Sequence, residues 1–241
     1  MKALIIINGR NCENYVKECL ESVVNQTNNN FSVIIIDDFS DDDTFKEIQK
    51  FSLSKKINGS YKHATTIEHL GTARCRLLGE KIAINSGIEY DYVVWLDMDD
   101  MLLPKALEVV STYYEDPDCW LTYGNMIVKS TGNIYNGALE INKCIRTEQW
   151  KYIHLRTHRK GLTNHITNED LEGYEAYPDI NMLYCMAELA GKEHIRVIKE
   201  PLYVYRDQHL NICINKYSWG QRNMEKLKAM HTTPKKQLQK L

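Results

Sequence analysis

The chain alternates short apolar runs with segments of helical periodicity, and this alternation limits the folds that it can adopt. Ala3 to Ile7, Phe31 to Ile36 and Tyr92 to Leu96 are mainly apolar runs of strand length. After the first run, apolar residues recur at helical spacing, namely Val16, Cys19, Leu20, Val23 and Val24. Strands that are apolar on both faces and separated by helices predict an α/β fold with a mainly parallel sheet and helices on both sides.

Polar residues follow each of these predicted strands. Asn8 to Asn11 follow the first run, Asp37 and Asp38 follow the second, and Asp97 to Asp100 follow the third. In an open α/β sheet, ligands bind outside the carboxyl ends of the strands. We therefore expect the three segments to surround one crevice.

Three carboxylates crowd the end of the third run, at Asp97, Asp99 and Asp100. Two unit charges about 4 Å apart repel by about 4 kcal/mol at the effective dielectric of a protein surface, so such a cluster usually needs a cation. Oxygen ligands favour Mg²⁺ or Mn²⁺, which leave coordination positions for the phosphates of a nucleotide. A strand-end turn with solvated Asp side chains is the alternative.

Composition places the chain among ordinary globular proteins. It has 241 residues, of which 43% are hydrophobic and 26% charged. The apolar runs are far shorter than the roughly 20 residues that span a bilayer. We expect neither a transmembrane helix nor a signal peptide, and the seven scattered cysteines, without a C-x-x-C pair, predict reduced thiols. A cytoplasmic protein is expected, with peripheral association at the membrane as an alternative.

Charge is distributed unevenly along the chain. Residues 143–160 and 196–241 together hold 16 Lys or Arg but 4 Asp or Glu, although the whole chain has 30 and 32. This asymmetry indicates a polyanionic partner or an anionic membrane surface, and a solvated basic tail is the alternative.

The order of motifs over roughly residues 3–210 resembles the GT-A-fold glycosyltransferases of family 2. Asp37 to Asp41 is similar to the D-D-G-S-x-D turn of that family, and Asp97 to Asp100 is similar to its D-x-D metal motif. Four further segments resemble family motifs: the opening strand and loop Ile5 to Tyr15, the A-R-N-like Gly71 to Arg76, the H-L-R-T-like His154 to Lys160, and the closing P-L-Y-x-Y-R strand Pro201 to Arg206.

The resemblance implies a metal-dependent, inverting transfer of one sugar from a nucleotide-diphosphate sugar to an acceptor hydroxyl. Asp179, from the pair similar to the family's E-D, would be the catalytic base, although a helix-capping carboxylate is the alternative. Mn²⁺ or Mg²⁺ would be held by Asp97, Asp99, Asp100 and His209. The expected nucleotide-sugar contacts are Asn8, Arg10, Asn11, Asp37, Asp38, Arg74, Asp97 and Arg206.

The same resemblance implies a domain organisation. Residues 1–210 would form the glycosyltransferase domain, with a nucleotide-binding half at 1–104 and an acceptor half at 105–210. Residues 211–241 would form a basic C-terminal tail. The chain departs from the family pattern at Asn8, Phe39 and Pro178, where proline, glycine and glutamate are usual, and we expect a changed loop shape near the base pocket.

Several alternatives remain open at this point. A cell-envelope glycan is the expected acceptor, and the basic segments 143–160 and 211–241 leave room for a hydroxymethylated DNA base, as in phage DNA glycosyltransferases. A sugar nucleotidyltransferase or a non-catalytic nucleotide-sugar-binding module is the alternative class. The oligomeric state is not predicted.

Overall fold

A computed structural model describes residues 1–54, 59–138, 145–146, 152–172, 179–207, 225, 228–229 and 235–241. Its helices are α1 (Val16–Val24), α2 (Thr44–Ser54), α3 (Thr72–Asn85), α4 (Ala106–Tyr114) and α5 (Ile180–Ala190). Its strands are β1 (Ala3–Gly9), β2 (Phe31–Asp37), β3 (Tyr61–Thr65), β4 (Tyr92–Asp97), β5 (Met101–Leu102), β6 (Leu121–Val128), β7 (Ile134–Tyr135), β8 (Arg156–Arg159) and β9 (Ile195–Tyr205).

The strands of the described residues form one mixed sheet in the order β3-β2-β1-β4-β8-β6-β9-β5, with β7 paired to β6. The β3, β2, β1 and β4 strands are mutually parallel, and β8 runs antiparallel to both β4 and β6. Both predicted halves therefore contribute strands to a single sheet. No described helix is long and apolar enough to cross a membrane.

Helices cover both faces of this sheet, as the apolar runs predict. Ile5 and Ile7 of β1 lie in one core cluster with residues of α1, α2 and α4, whereas Leu4 and Ile6 lie in a second cluster with residues of α3 and α5. Side chains alternate between the faces of a strand, so a run that is apolar throughout supplies both cores. At Gly79 of α3, an added Cβ would lie 2.7 Å from Ile6, so glycine allows α3 to approach β1 closely.

Two strands, β6 and β9, are each continuous where the sequence predicts two shorter strands. β6 joins the predicted strands Trp120 to Tyr123 and Asn125 to Val128, because it pairs with β9 along its whole length, with register shifts on both sides of Asn125. Pro201, which has no backbone donor, is opposite Asn125 at this irregularity. The Asn125 side chain donates a hydrogen bond to the Lys199 carbonyl at 2.7 Å and so joins the two strands there.

Part of the predicted basic tail packs against α5. The backbone N–H of Leu238 donates to the Leu189 carbonyl at 2.9 Å, and that of Lys235 donates to the Glu188 carboxylate at 2.8 Å. Lys235 Nζ also pairs with the Asp170 carboxylate at 2.8 Å. Residues 235–238 are therefore part of the fold around α5, the helix that follows Asp179.

Candidate active site

The carboxyl ends of β1, β2 and β4 meet, as the sequence predicts. Asn8 of β1 is paired in register with Asp97 of β4, and Gly9 is paired with Asp37 at the end of β2. Asn8 thus lies on the strand and not in the following loop. The β1 and β4 pairing continues beyond the strand end, where the Met98 N–H donates to the Asn8 carbonyl at 2.9 Å.

A fully buried arginine, Arg76 of α3, connects two carboxylates at this edge. Its Nη2 donates to Asp97 Oδ1 at 2.8 Å, and its Nη1 lies 3.6 Å from Asp179 Oδ2. The guanidinium also lies over the Trp95 ring, 4.7 Å from the centroid. The expected metal-binding carboxylate and the expected base therefore lie on either side of one cation.

Asp179 is held by a second arginine, Arg156 of β8, whose Nη1 donates to Asp179 Oδ2. Asp179 is the N-cap residue of α5, but its side chain makes no capping hydrogen bond, so the capping alternative does not describe its contacts. Burial alone would raise the pKa of Asp179, but Arg156 and then Arg76 outweigh that effect and hold its pKa below the usual range. The carboxylate is consequently ionised at neutral pH.

His154 borders the same cluster. Its ring stacks on Tyr203 with centroids 4.4 Å apart, and its Nε2 lies 3.8 Å from Asp97 Oδ2. Burial, followed by the charges of Arg156 and Arg76, holds the pKa of His154 well below its ordinary value. His154 is therefore neutral at neutral pH and offers a hydrogen-bonding group without adding charge. The other histidine of this segment, His158, lies in the core near Glu80, 3.3 Å away.

Asp100 and Arg206 brace the acidic turn after β4. The two oxygens of Asp100 accept hydrogen bonds from the Arg206 N–H and the Tyr203 hydroxyl, each at 2.7 Å. Arg206 Nε donates to the Asp99 carbonyl at 2.7 Å, and Nη2 donates to Glu18 of α1. These contacts connect the turn to β9 and α1.

Asp99 lies in the same turn, in a strongly acidic environment. Burial, and then the negative charge of Asp97, raise the pKa of Asp99 to about 7. The nearby Arg206 only partly opposes this rise. An added cation would stabilise the ionised form of this carboxylate.

A divalent cation fits the chemistry of Asp97 and Asp99. Both supply the oxygen ligands that Mg²⁺ and Mn²⁺ prefer, and Asn8 Oδ1, in register with Asp97, is buried without a hydrogen-bond partner. Within the described ranges, no group of three or more His, Cys, Asp or Glu side chains is arranged to hold a metal by itself. Such an ion would need oxygens from a ligand as well as from the protein.

Asp37 and Asp38 organise the neighbouring loops. Asp38 accepts hydrogen bonds from the backbone N–H groups of Leu70 and Gly71, both at 2.8 Å, and so holds the segment that leads into α3. Asp37 accepts a hydrogen bond from the Ser40 hydroxyl, and its burial raises its pKa above the usual range. Their contact with a nucleotide stays a prediction.

The turn after β2 keeps a backbone conformation that suits glycine. Phe39 has a φ of 57°, in the left-handed region, and its side chain remains half-exposed. Asn11, with a φ of 55°, connects to this turn by accepting the Asp41 N–H at 3.1 Å through its side chain. Arg10 lies 3.8 Å from Asp41. The loop thus accommodates phenylalanine by keeping the left-handed backbone that suits glycine and by leaving the side chain half-exposed.

The predicted arginine Arg74 is not brought to the cluster. Arg74 is exposed on α3, and the arginine that reaches Asp97 and Asp179 is Arg76, which the sequence reasoning missed. Helical spacing contains the signal, because Arg76 shares the buried stripe of Ala73, Glu80 and Ala83. His209 lies outside the described residues.

The profile of Glycosyl transferase family 2 matches residues 4–172. The chain is 33% identical over 115 residues to an uncharacterized glycosyltransferase of Rickettsia felis, a match that covers 48% of this chain and 17% of that protein. It is 30% identical over 145 residues to the UDP-Glc:alpha-D-GlcNAc-diphosphoundecaprenol beta-1,3-glucosyltransferase WfaP of Escherichia coli, covering 57% of this chain and 52% of that protein. The chain thus spans about half or less of the length of these relatives.

Solved structures share the fold. S. aureus TarS 1–349 in complex with UDP-GlcNAc matches with a TM-score of 0.71 and 19% identity, over 95% of this chain and 65% of that one. The mannosyltransferase PcManGT from Pyrobaculum calidifontis, in complex with GDP-Man and Mn²⁺, matches with a TM-score of 0.59 and 16% identity, over 85% of this chain and 56% of that one.

Proposed function

Since this chain belongs to glycosyl transferase family 2 and is a glycosyltransferase with a GT-A fold, we propose that it transfers one sugar from a nucleotide-diphosphate sugar to an acceptor hydroxyl with inversion. The observation that carries this proposal is the pairing of Asp97 and Asp179 with the one guanidinium of Arg76, at 2.8 and 3.6 Å. The two carboxylates to which we assign donor binding and proton acceptance therefore lie near each other at one edge of the sheet. Family membership favours this reaction over the nucleotidyltransferase alternative.

The donor diphosphate would lie at the acidic turn. Asp97 and Asp99 would hold Mg²⁺ or Mn²⁺ together with oxygens of the diphosphate, and the Mn²⁺ bound to PcManGT supports this expectation. When bound, the ion would neutralise charge on the departing diphosphate. We leave Asp100 out of this ligand set because both of its oxygens accept hydrogen bonds within the protein.

Asp179 would accept the proton of the acceptor. As the acceptor oxygen forms its bond to the anomeric carbon, the bond from that carbon to the diphosphate breaks and the hydroxyl proton passes to the Asp179 carboxylate. Attack from the face opposite the diphosphate inverts the anomeric centre. The ionised state of Asp179 at neutral pH suits this role, although the lowered pKa also makes it a modest base.

An envelope glycan is the acceptor that we favour. The relative WfaP is named for an acceptor in which the sugar is linked through diphosphate to undecaprenol. In the described part of segment 143–160, Arg146 pairs with Glu188 and Arg156 with Asp179, so these two positive charges are directed at carboxylates of the fold and not at a polyanion. Less positive charge is therefore available to bind DNA than the sequence alone indicates, which weakens the DNA alternative.

Incubation with a panel of UDP- and GDP-sugars and Mn²⁺ tests the reaction, with a diphospholipid-linked sugar and hydroxymethylated duplex DNA as competing acceptors. Release of nucleoside diphosphate together with a glycosylated product supports the proposal. Pyrophosphate exchange without sugar transfer would instead indicate a nucleotidyltransferase.

Asp179→Asn tests the base. Transfer should fall by roughly 10²-fold or more while donor affinity is kept, because the amide cannot accept the proton. The matched control is Asp116→Asn, since Asp116 pairs with Arg196 at 2.9 Å on the surface and should leave transfer unchanged. An Asp179→Asn enzyme with full activity would rule out this base.

A further inference from the structure

Arg156 makes the more direct of the two arginine contacts with Asp179. Its Nη1 donates to Asp179 Oδ2, and its Nε donates to the Tyr152 carbonyl at 2.7 Å. The Arg156 side chain is 8% exposed, whereas that of Asp179 is 20% exposed. A guanidinium fixed on its inner side by a backbone carbonyl presents its outer nitrogen to the carboxylate in one orientation.

Arg76 cannot supply the same contact, because it is shared. It lies closer to Asp97, at 2.8 Å, than to Asp179, at 3.6 Å. Its hydrogen bond is made to Asp97. If Asp97 engages the donor, the charge of Arg76 remains divided between two anions, whereas that of Arg156 is directed at Asp179.

Among the residues that the structure describes, the other groups around Asp179 do not replace Arg156. From α5, the N-terminal end of the helix dipole favours an anion at the N-cap position, but the Asp179 side chain makes no capping hydrogen bond. From the segment before β8, His154 is neutral at neutral pH. Asp97 of β4 carries the same charge as Asp179 and is separated from it by Arg76.

We infer that Arg156 is a positioning residue for the transfer reaction, which fixes the orientation of the Asp179 carboxylate and keeps it ionised. This inference rests on the proposed function, since it assigns Arg156 a role through the base. Segment 152–159 then contributes to the reaction centre in two ways: it supplies Arg156, and it supplies the Tyr152 carbonyl that orients the Arg156 guanidinium.

The test is the pH dependence of kcat for Arg156→Gln. With Arg156 removed, Asp179 should bind a proton at higher pH, so the acid limb of the kcat profile should shift to higher pH by about one unit or more. The KM for the donor should change little, because Arg156 contacts the base and not the acidic turn. Arg156→Lys should show a smaller shift than Arg156→Gln, since lysine keeps the charge but loses the planar fork geometry of the guanidinium.

Arg159→Gln is the matched control from the same strand. Arg159 donates to the backbone carbonyls of Cys119, Tyr114 and Asp116 at 2.7–2.9 Å and is directed away from the site carboxylates. It should lower stability without moving the acid limb. If the limb of folded Arg156→Gln coincides with that of the unsubstituted protein, the inference is wrong. If Arg156→Gln does not fold, the same comparison is made with Arg156→Met, which also removes the charge.

A second readout separates this inference from the proposed function. The Asp179 carboxyl carbon, assigned in ¹³C spectra by its loss in Asp179→Asn, can be titrated without any substrate. An upward shift of its midpoint in the Arg156 variant, but not in Arg159→Gln, supports the electrostatic contact even if Asp179 proves not to be the base. An unchanged midpoint overturns the inference and leaves the transfer reaction standing.

Discussion

Replacing Arg76 by Met should destabilise the protein strongly at neutral pH and much less in acid. Arg76 is fully buried and lies 2.8 Å from Asp97 and 3.6 Å from Asp179. Methionine retains much of the volume and the contact with Trp95 but removes the charge. Two carboxylates in the site then lose a shared partner.

The magnitude follows from these distances. At an effective dielectric of about 20, Coulomb's law gives an attraction of about 6 kcal/mol over 2.8 Å and about 5 kcal/mol over 3.6 Å, and the cost of desolvating the charges offsets much of it. Removing one partner of a buried pair typically costs about 3–5 kcal/mol. Because Asp179 keeps Arg156, we expect about 3 kcal/mol for Arg76→Met at pH 8.

The pH dependence distinguishes a charge effect from a packing effect. Asp179 has a lowered pKa in the folded protein, so its contribution to stability is present above the unfolded pKa and is lost as pH falls through the folded pKa. Loss of Arg76 weakens that contribution. The difference in unfolding free energy between the two proteins should therefore be widest at neutral pH and should narrow as pH falls below about 4, the ordinary pKa of Asp, towards the lower folded pKa of Asp179.

Urea unfolding followed by circular dichroism at pH 8 and at about pH 3, below the ordinary pKa of Asp, measures this difference. Arg159→Met is the control, because the Arg159 guanidinium donates to three backbone carbonyls and its loss should cost similar free energy at both pH values. An Arg76→Met penalty below about 1 kcal/mol at pH 8, or one that does not narrow in acid, would refute the electrostatic reasoning.

Two further perturbations test the acidic turn and the strained turn. EDTA should abolish transfer and Mn²⁺ should restore it. Asp99→Asn should lose transfer without losing stability in metal-free buffer, because it removes a carboxylate that is repelled by Asp97 and whose pKa is raised to about 7. Full activity in EDTA, or a large loss of stability in Asp99→Asn, would contradict this assignment. Phe39→Gly should be more stable than Phe39→Ala by about 1 kcal/mol in thermal unfolding, because a non-glycine residue at a φ of 57° is strained; equal stability of the two variants would show that the turn stores little strain.

The predicted architecture is confirmed because it depends on local patterns. Apolar runs on both faces require helices on both sides of the sheet, and the two core clusters have this arrangement. The carboxyl-edge rule likewise brings Asn8, Asp37 and Asp97 together. Strand limits were predicted less well, since pairing with neighbours extends β1 to Gly9 and joins the two halves of β6.

The site is harder to predict, because it depends on which polar side chains turn inward. Arg74 and Arg76 lie two residues apart on one helix; helical spacing puts Arg76 on the buried stripe, but only the structure shows that it lies between two carboxylates. The role of Arg156 depends on β8, which is inserted between β4 and β6 although it follows β6 in the chain. Contacts that depend on such an insertion leave no periodic signal in the sequence.

The uneven charge along the chain has a structural explanation of its own. A basic second half predicts a polyanionic partner when its charges are assumed to lie on the surface. Several of them instead pair in the fold with acidic groups that are distant in sequence: Arg146 with Glu188, Arg156 with Asp179, Arg196 with Asp116, Arg206 with Glu18 and Lys235 with Asp170. Each such pair reduces the positive charge that is available to a polyanionic partner. Part of the basic charge of these segments is thus paired with acidic groups of the fold, and two of the pairs, those of Arg156 and Arg206, lie at the candidate site.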